Sequence, residues 1–101
     1  MNKIYKYKIA MTDEQVLVLP EGAQIISIIE QYGKPVVYAM VNTKAQPDQI
    51  YNIRTIGTGQ AIGDNLSKYK FIGTLSFRNV NLVFHYFIKL MSSELGGKQN
   101  E

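Results

Sequence analysis

Apolar and polar residues alternate along this chain in short runs with a period of two, and no helical stripe persists anywhere. Ile50-Tyr51-Asn52-Ile53-Arg54-Thr55-Ile56 shows the pattern most cleanly. On a pleated strand Ile50, Asn52, Arg54 and Ile56 share one face, and Tyr51, Ile53 and Thr55 share the other. Lys3 to Ile9 repeats it in part, with Tyr5, Tyr7 and Ile9 opposite Lys6 and Lys8. Further strand-like runs are Val16–Leu19, Ala23–Gln31, Val36–Val41, Tyr69–Phe77 and Val80–Leu90. They are rich in the β-branched and aromatic residues that suit a pleated surface.

Turn signals separate the runs: Thr12-Asp13-Glu14-Gln15, Pro20-Glu21-Gly22, Tyr32-Gly33-Lys34-Pro35, the polar stretch Asn42 to Asp48, and Arg78-Asn79. About seven short strands with short connections predict an all-β fold, a single compact antiparallel sandwich or barrel over residues 1–91. Residues 92–101 are polar and glycine-bearing, and are expected to form a flexible tail with one helical turn at most. Asp64 to Tyr69 has a composition that could form one helical turn inside the loop.

With 101 residues, 46% of them hydrophobic, the chain has the size of one domain with a real core. A domain this small buries only about 60–65% of its unfolded surface, so a homo-oligomer is expected. Cysteine is absent, which excludes a disulfide framework and a thiolate zinc site. No run approaches the ~20 apolar residues of a membrane helix, and no secretory leader is expected. The net charge of +3 is too small to argue for nucleic acid alone, although Lys3, Lys6 and Lys8 cluster near the start.

The connection Gly57-Thr58-Gly59-Gln60-Ala61-Ile62-Gly63-Asp64-Asn65 gathers three of the eight glycines. It lacks the Gly-Lys-Ser/Thr ending of a P-loop. It also lacks a third glycine where a dinucleotide fingerprint needs one, since Ile62 stands there. What survives is a binding loop of generic kind or a long strand connection. Free backbone N–H groups, the Thr58 hydroxyl, Gly59 and the Gln60 amide could hold an anion or a polar ring. Arg54, just before the loop, could reach a phosphate, or could simply be a surface strand arginine.

The single histidine, His85, lies in Leu82-Val83-Phe84-His85-Tyr86-Phe87. It reads as a strand histidine with a hydrogen-bond partner or as a ligand contact. Most of the seven tyrosines read as packing residues, with Tyr38 and Tyr51 available for stacking on a base. No convergent nucleophile, acid–base pair or metal-ligand cluster is legible, so no enzyme, cofactor or metal is expected.

The blocks Ile4-Tyr5-Lys6-Tyr7, Thr12-Asp13-Glu14-Gln15, Leu19-Pro20-Glu21-Gly22-Ala23, Ile53 to Gly59, Ile72-Gly73-Thr74 and Leu82-Val83-Phe84-His85 resemble a family of short, uncharacterised bacteriophage proteins. The similarity spans most of residues 4 to 87. Members often carry histidine directly after the Gly-Thr-Gly turn, where this chain has Gln60. The resemblance implies a phage origin, a compact β fold and a place in the cytoplasm of an infected bacterium. It is similar in kind to phage proteins that sequester nucleotide signals of bacterial defence. The expectation is therefore a non-enzymatic binder of an anionic, nucleotide-like molecule, ADP-ribose-derived or a cyclic dinucleotide. Its pocket would combine Arg54, Thr58, Gly59, Gln60, Tyr51, Tyr38 and His85 at a subunit interface. A nucleic-acid or host-protein binding module, and a virion structural or assembly protein, are the alternatives.

Overall fold

The computed structural model describes residues 1–93. Seven strands form in chain order: β1 (Asn2–Lys8), β2 (Glu14–Pro20), β3 (Gln24–Gln31), β4 (Lys34–Asn42), β5 (Pro47–Gly57), β6 (Lys70–Phe77) and β7 (Leu82–Ser93). They build two antiparallel sheets, one in the order β1-β4-β3 and the other β2-β5-β7-β6. The all-β fold expected from the alternation is therefore present, and of the two expected forms, sandwich or barrel, two separate sheets make it the sandwich.

The inner faces follow the two-residue period. Tyr51, Ile53 and Thr55 of β5 turn inward with Tyr86 and Ile88 of β7, while Val37, Ala39 and Val41 of β4 meet them from the other sheet. The interior forms two apolar clusters, one around Ile53, Phe77 and Tyr86 and one around Leu19, Ala39 and Val41. Tyr7, Leu17, Ile25 and Tyr51 pack against both and join them. Burying each large apolar side chain contributes about 1.5–3 kcal/mol, which is what holds two sheets together without a disulfide.

The sheets touch most closely where β6 crosses β3. A Cβ on Gly73 would stand 2.7 Å from Ile28 Cγ2, so glycine alone permits this approach. Each of these strands carries an irregularity beside the crossing, between Ile25 and Ser27 in β3 and between Phe71 and Gly73 in β6. Such bulges bend a strand and strengthen its twist. Away from the crossing the two strands diverge and leave an opening between the sheets.

Several boundaries depart from the sequence reading. Glu14 and Gln15, expected in a turn, open β2 opposite Arg54 and Ile53. The Gln15 side chain makes this possible by taking over the turn: its Oε1 accepts from Ala10 N–H at 2.9 Å and its Nε2 donates to Ala10 C=O at 2.7 Å. Ser92 and Ser93, expected in the tail, extend β7 because β5 begins early enough to offer Ile50 and Gln49 as partners. The rest of the expected tail lies outside the described residues. Asp64 to Tyr69 makes no helical turn, only a bend and a turn closed by Tyr69 N–H on Leu66 C=O at 2.9 Å.

One cost sits in the interior. Tyr86 is fully buried, yet its hydroxyl has no hydrogen-bond partner among the described residues, and neither has the buried Thr55 hydroxyl directly across the ladder. Desolvation pushes the Tyr86 phenol up to about 12.

Candidate functional site

The glycine connection folds back over the outer face of the four-stranded sheet as a strap. Its first turn is closed by Gln60 N–H donating to Gly57 C=O at 3.0 Å, with Gly59 at φ +85 in the position that favours glycine. Gln60 Oε1 in turn accepts from Gly57 N–H at 2.9 Å, so the glutamine brackets Gly57 from both sides. Thr58 N–H continues the ladder to Val83 C=O at 3.1 Å. The first loop donors expected to face a ligand are thus engaged with the protein itself.

The side chains on this face are engaged too. Arg54 forms an ion pair with Asp64 at the middle of the strap. The hydrogen bond from Arg54 holds the Asp64 carboxyl below its usual range, and the same bond raises the guanidinium. Asn52, two residues back on the same face, is buried and donates from Nδ2 to Glu14 Oε2 and to the Tyr69 hydroxyl, each at 2.7 Å. The Lys89 ammonium lies 5.6 Å from the Tyr69 ring centre, adding a cation–π contact at the strap's far end. Both His85 ring nitrogens meet hydroxyls, Nε2 with Thr58 Oγ1 at 2.7 Å and Nδ1 with Thr74 Oγ1 at 2.9 Å. A hydroxyl can donate or accept, so either tautomer is satisfied.

Five of the residues predicted for a site therefore come together: Arg54, Thr58, Gly59, Gln60 and His85 share the strapped face. The hollow beside them, about 260 Å³, is shallow and floored by Ile56, Ile62 and Phe87, and Arg54 does not line it. Tyr51 and Tyr38 stand elsewhere. Tyr51 points to the interior, with its hydroxyl 3.3 Å from Gln49 Oε1, and burial raises its phenol. Tyr38 lies on the three-stranded sheet opposite Lys6, donating to Gln31 Oε1 at 3.2 Å.

A second hollow, of about 490 Å³, is the opening between β3 and β6. Ile25 and Ile26 of β3 form one wall and Lys70 and Ile72 of β6 the other, with Tyr51 and Ile88 at the bottom. Lys70 lies opposite Ile88 in the ladder, on the inner side, and so sets a cation at the rim of a cleft that mixes isoleucine and aromatic walls with the polar Gln24. Sequence reasoning reached only Tyr51 in this cleft. The irregularities in β3 and β6 lie beside it, and neither leaves a sign in the alternation beyond Gly73. No group of three or more histidine, acidic or cysteine side chains among the described residues could hold a metal ion. No described helix is long and apolar enough to cross a membrane.

Comparison with known proteins assigns a family. Residues 1–95 match the family described as Domain of unknown function (DUF7352), and the chain belongs to it. No curated protein and no solved structure matches the chain.

Proposed function

We propose that this family member is a non-enzymatic binding protein for a small anionic molecule with a flat apolar body, of the nucleotide-derived class, held between its two sheets. The observation that carries the reading is the cleft between β3 and β6. It combines about 490 Å³ of space, isoleucine walls, the Tyr51 ring and a single ammonium, Lys70, at the mouth. Sites for small ligands combine apolar walls with a few placed polar groups, and this cleft offers Gln24 and Lys70 beside its isoleucines. An ammonium at the rim can take a phosphate while the slot takes the ring. The strapped face is a poorer host, because Arg54 is already neutralised by Asp64. The phage kinship expected from the sequence makes a signal of bacterial defence the ligand to try first, with sequestration rather than turnover as its fate.

Calorimetry with ADP-ribose derivatives and cyclic dinucleotides tests the proposal. Expected is one site per chain, and a ligand recovered chemically unchanged after incubation. Lys70→Ala should weaken binding roughly 10- to 100-fold, the size of a charge-assisted hydrogen bond, while Arg54→Ala leaves the affinity unchanged. Absence of heat and of thermal stabilisation across the panel, or binding indifferent to Lys70→Ala, overturns it.

A further inference from the structure

The outer face of the three-stranded sheet presents a second feature, independent of the cleft. Tyr32 occupies the β3–β4 turn at φ +55, in the left-handed region where glycine, asparagine or aspartate is the usual choice. The residue is 93% exposed, so packing does not repay that conformation. A bulky side chain kept in a costly backbone position and left in solvent points to a use outside the fold.

The surroundings of Tyr32 are basic. Lys6 and Lys8 alternate onto the same face of β1, opposite Tyr38 and Val36 of β4, and Lys34 follows the turn on β4. These three lysines, Gln31 and Tyr32 line a hollow of about 190 Å³ over Val36. No carboxylate among the described residues lines it. Glu30, the nearest in sequence, has one oxygen committed to Gly33 N–H at 2.6 Å. The β6–β7 turn lies beside this tip, since a Cβ on Gly33 would stand 3.0 Å from Asn79 Nδ2, and Arg78 adjoins Asn79 at the same end. Lys6 and Lys8 are two strand residues apart, about 7 Å, a separation that successive phosphates of an extended strand can match.

We infer that this face binds single-stranded nucleic acid, with the phosphates on Lys6, Lys8 and Lys34 and a base stacked on Tyr32. A cationic track beside an exposed aromatic ring is the recurrent solution for sequence-tolerant single-strand binding. A duplex, its bases already stacked, gives Tyr32 nothing to stack on.

Fluorescence anisotropy with labelled oligothymidylate and oligouridylate tests this in the full chain. Binding should weaken between roughly 50 and 200 mM salt, along a straight line in log–log form. Replacing both Lys6 and Lys8 by glutamine should flatten that slope by about 1.4, at ~0.7 per lost phosphate contact on a single strand. Tyr32→Asn should weaken binding several-fold while raising the melting temperature, since asparagine accepts the turn geometry that tyrosine resists. A merely structural tyrosine would not divide the two readouts in this way. Lys44→Gln, an exposed lysine in the β4–β5 connection that lines neither hollow, serves as the control and should bind oligonucleotides as the native chain does. No anisotropy change at low salt overturns the inference. So does an affinity that ignores the lysine substitutions, or a preference for blunt duplex over single strands.

Discussion

The two outer faces of this sandwich are built from the same kind of strand and end in opposite states. On the four-stranded sheet the connection from Thr58 to Tyr69 lies across the face, and its polar groups answer one another: Arg54 with Asp64, Asn52 with Glu14 and Tyr69, His85 with Thr58 and Thr74. On the three-stranded sheet no described segment lies across, and Lys6, Lys8, Lys34 and Tyr32 are exposed. The residues that look most chemical in the sequence are thus the ones the fold uses for itself. Residues that look like ordinary strand decoration are the ones left free. Residue type identifies what a side chain can do, and only its neighbours decide whether that capacity is still available.

The contrast can be broken by substitution, and the largest effect belongs under the strap. Ile56 is 4% exposed on an outer face, whereas Ile4 on the bare face is 62% exposed. Ile56→Ala should cost about 2–4 kcal/mol in denaturant unfolding, the range for a truncated buried isoleucine. Ile4→Ala should stay within about 0.5 kcal/mol. Equal losses would mean that the strap does not cover its face in solution.

Next comes the hydrogen bonding that ties the strap down. Asn52→Ala removes two donated bonds at once and should cost about 1–2 kcal/mol. Hydrogen exchange at residues 58–69 should accelerate while β1 and β4 keep their protection. Uniform acceleration in both sheets would show that the strap and the sheet open as one unit.

The interior shared by both faces supplies a smaller effect of opposite sign. Tyr86→Phe deletes a buried hydroxyl without a partner and should stabilise the fold by up to about 1 kcal/mol. The folded phenol titrates at about 12, above the ordinary value of 10.0. The unfolded chain therefore releases that proton first as pH rises, and native stability should fall between pH 10 and 12. The Phe variant should lack this part of the fall in a pH series of unfolding curves.

The smallest effect lies in the ion pair. Asp64 is depressed below its ordinary value of 3.8 by Arg54, so its contribution is present above that pH and fades as the pH drops through the folded value. Exchange across the strap should quicken in acid. Asp64→Asn should show the quick exchange already at neutral pH, and should be less sensitive to salt than the native chain.

Much of the fold was legible because a period of two leaves few choices. The division of β5 into an Arg54 face and a Tyr51 face, and of β1 into lysine and tyrosine faces, holds residue by residue. The grouping of Arg54 with Thr58, Gly59, Gln60 and His85 was legible for the same reason, because a strand and the loop that follows it stay close. Three things were not. The chain carries no sign that Asp64 returns ten residues later to meet Arg54, because an aspartate beside an asparagine reads equally well as a turn. The joining of Tyr38 and Tyr51 to that group failed, since residue type does not say which sheet or which face an aromatic will occupy. The cleft at Lys70 was hidden because both its walls run beside register breaks, and a bulge is an interruption of the pattern that sequence reading relies on.

Gly73 has a consequence for evolution of the molecule as well as for its stability. Because a single missing methyl group sets how near β6 can come to β3, that position acts as a gauge for the width of the gap beyond it. A larger residue would wedge the layers apart and reshape the gap without altering any side chain that lines it. Relatives that need a wider or narrower slot could therefore tune it from this hinge point, leaving the walls untouched.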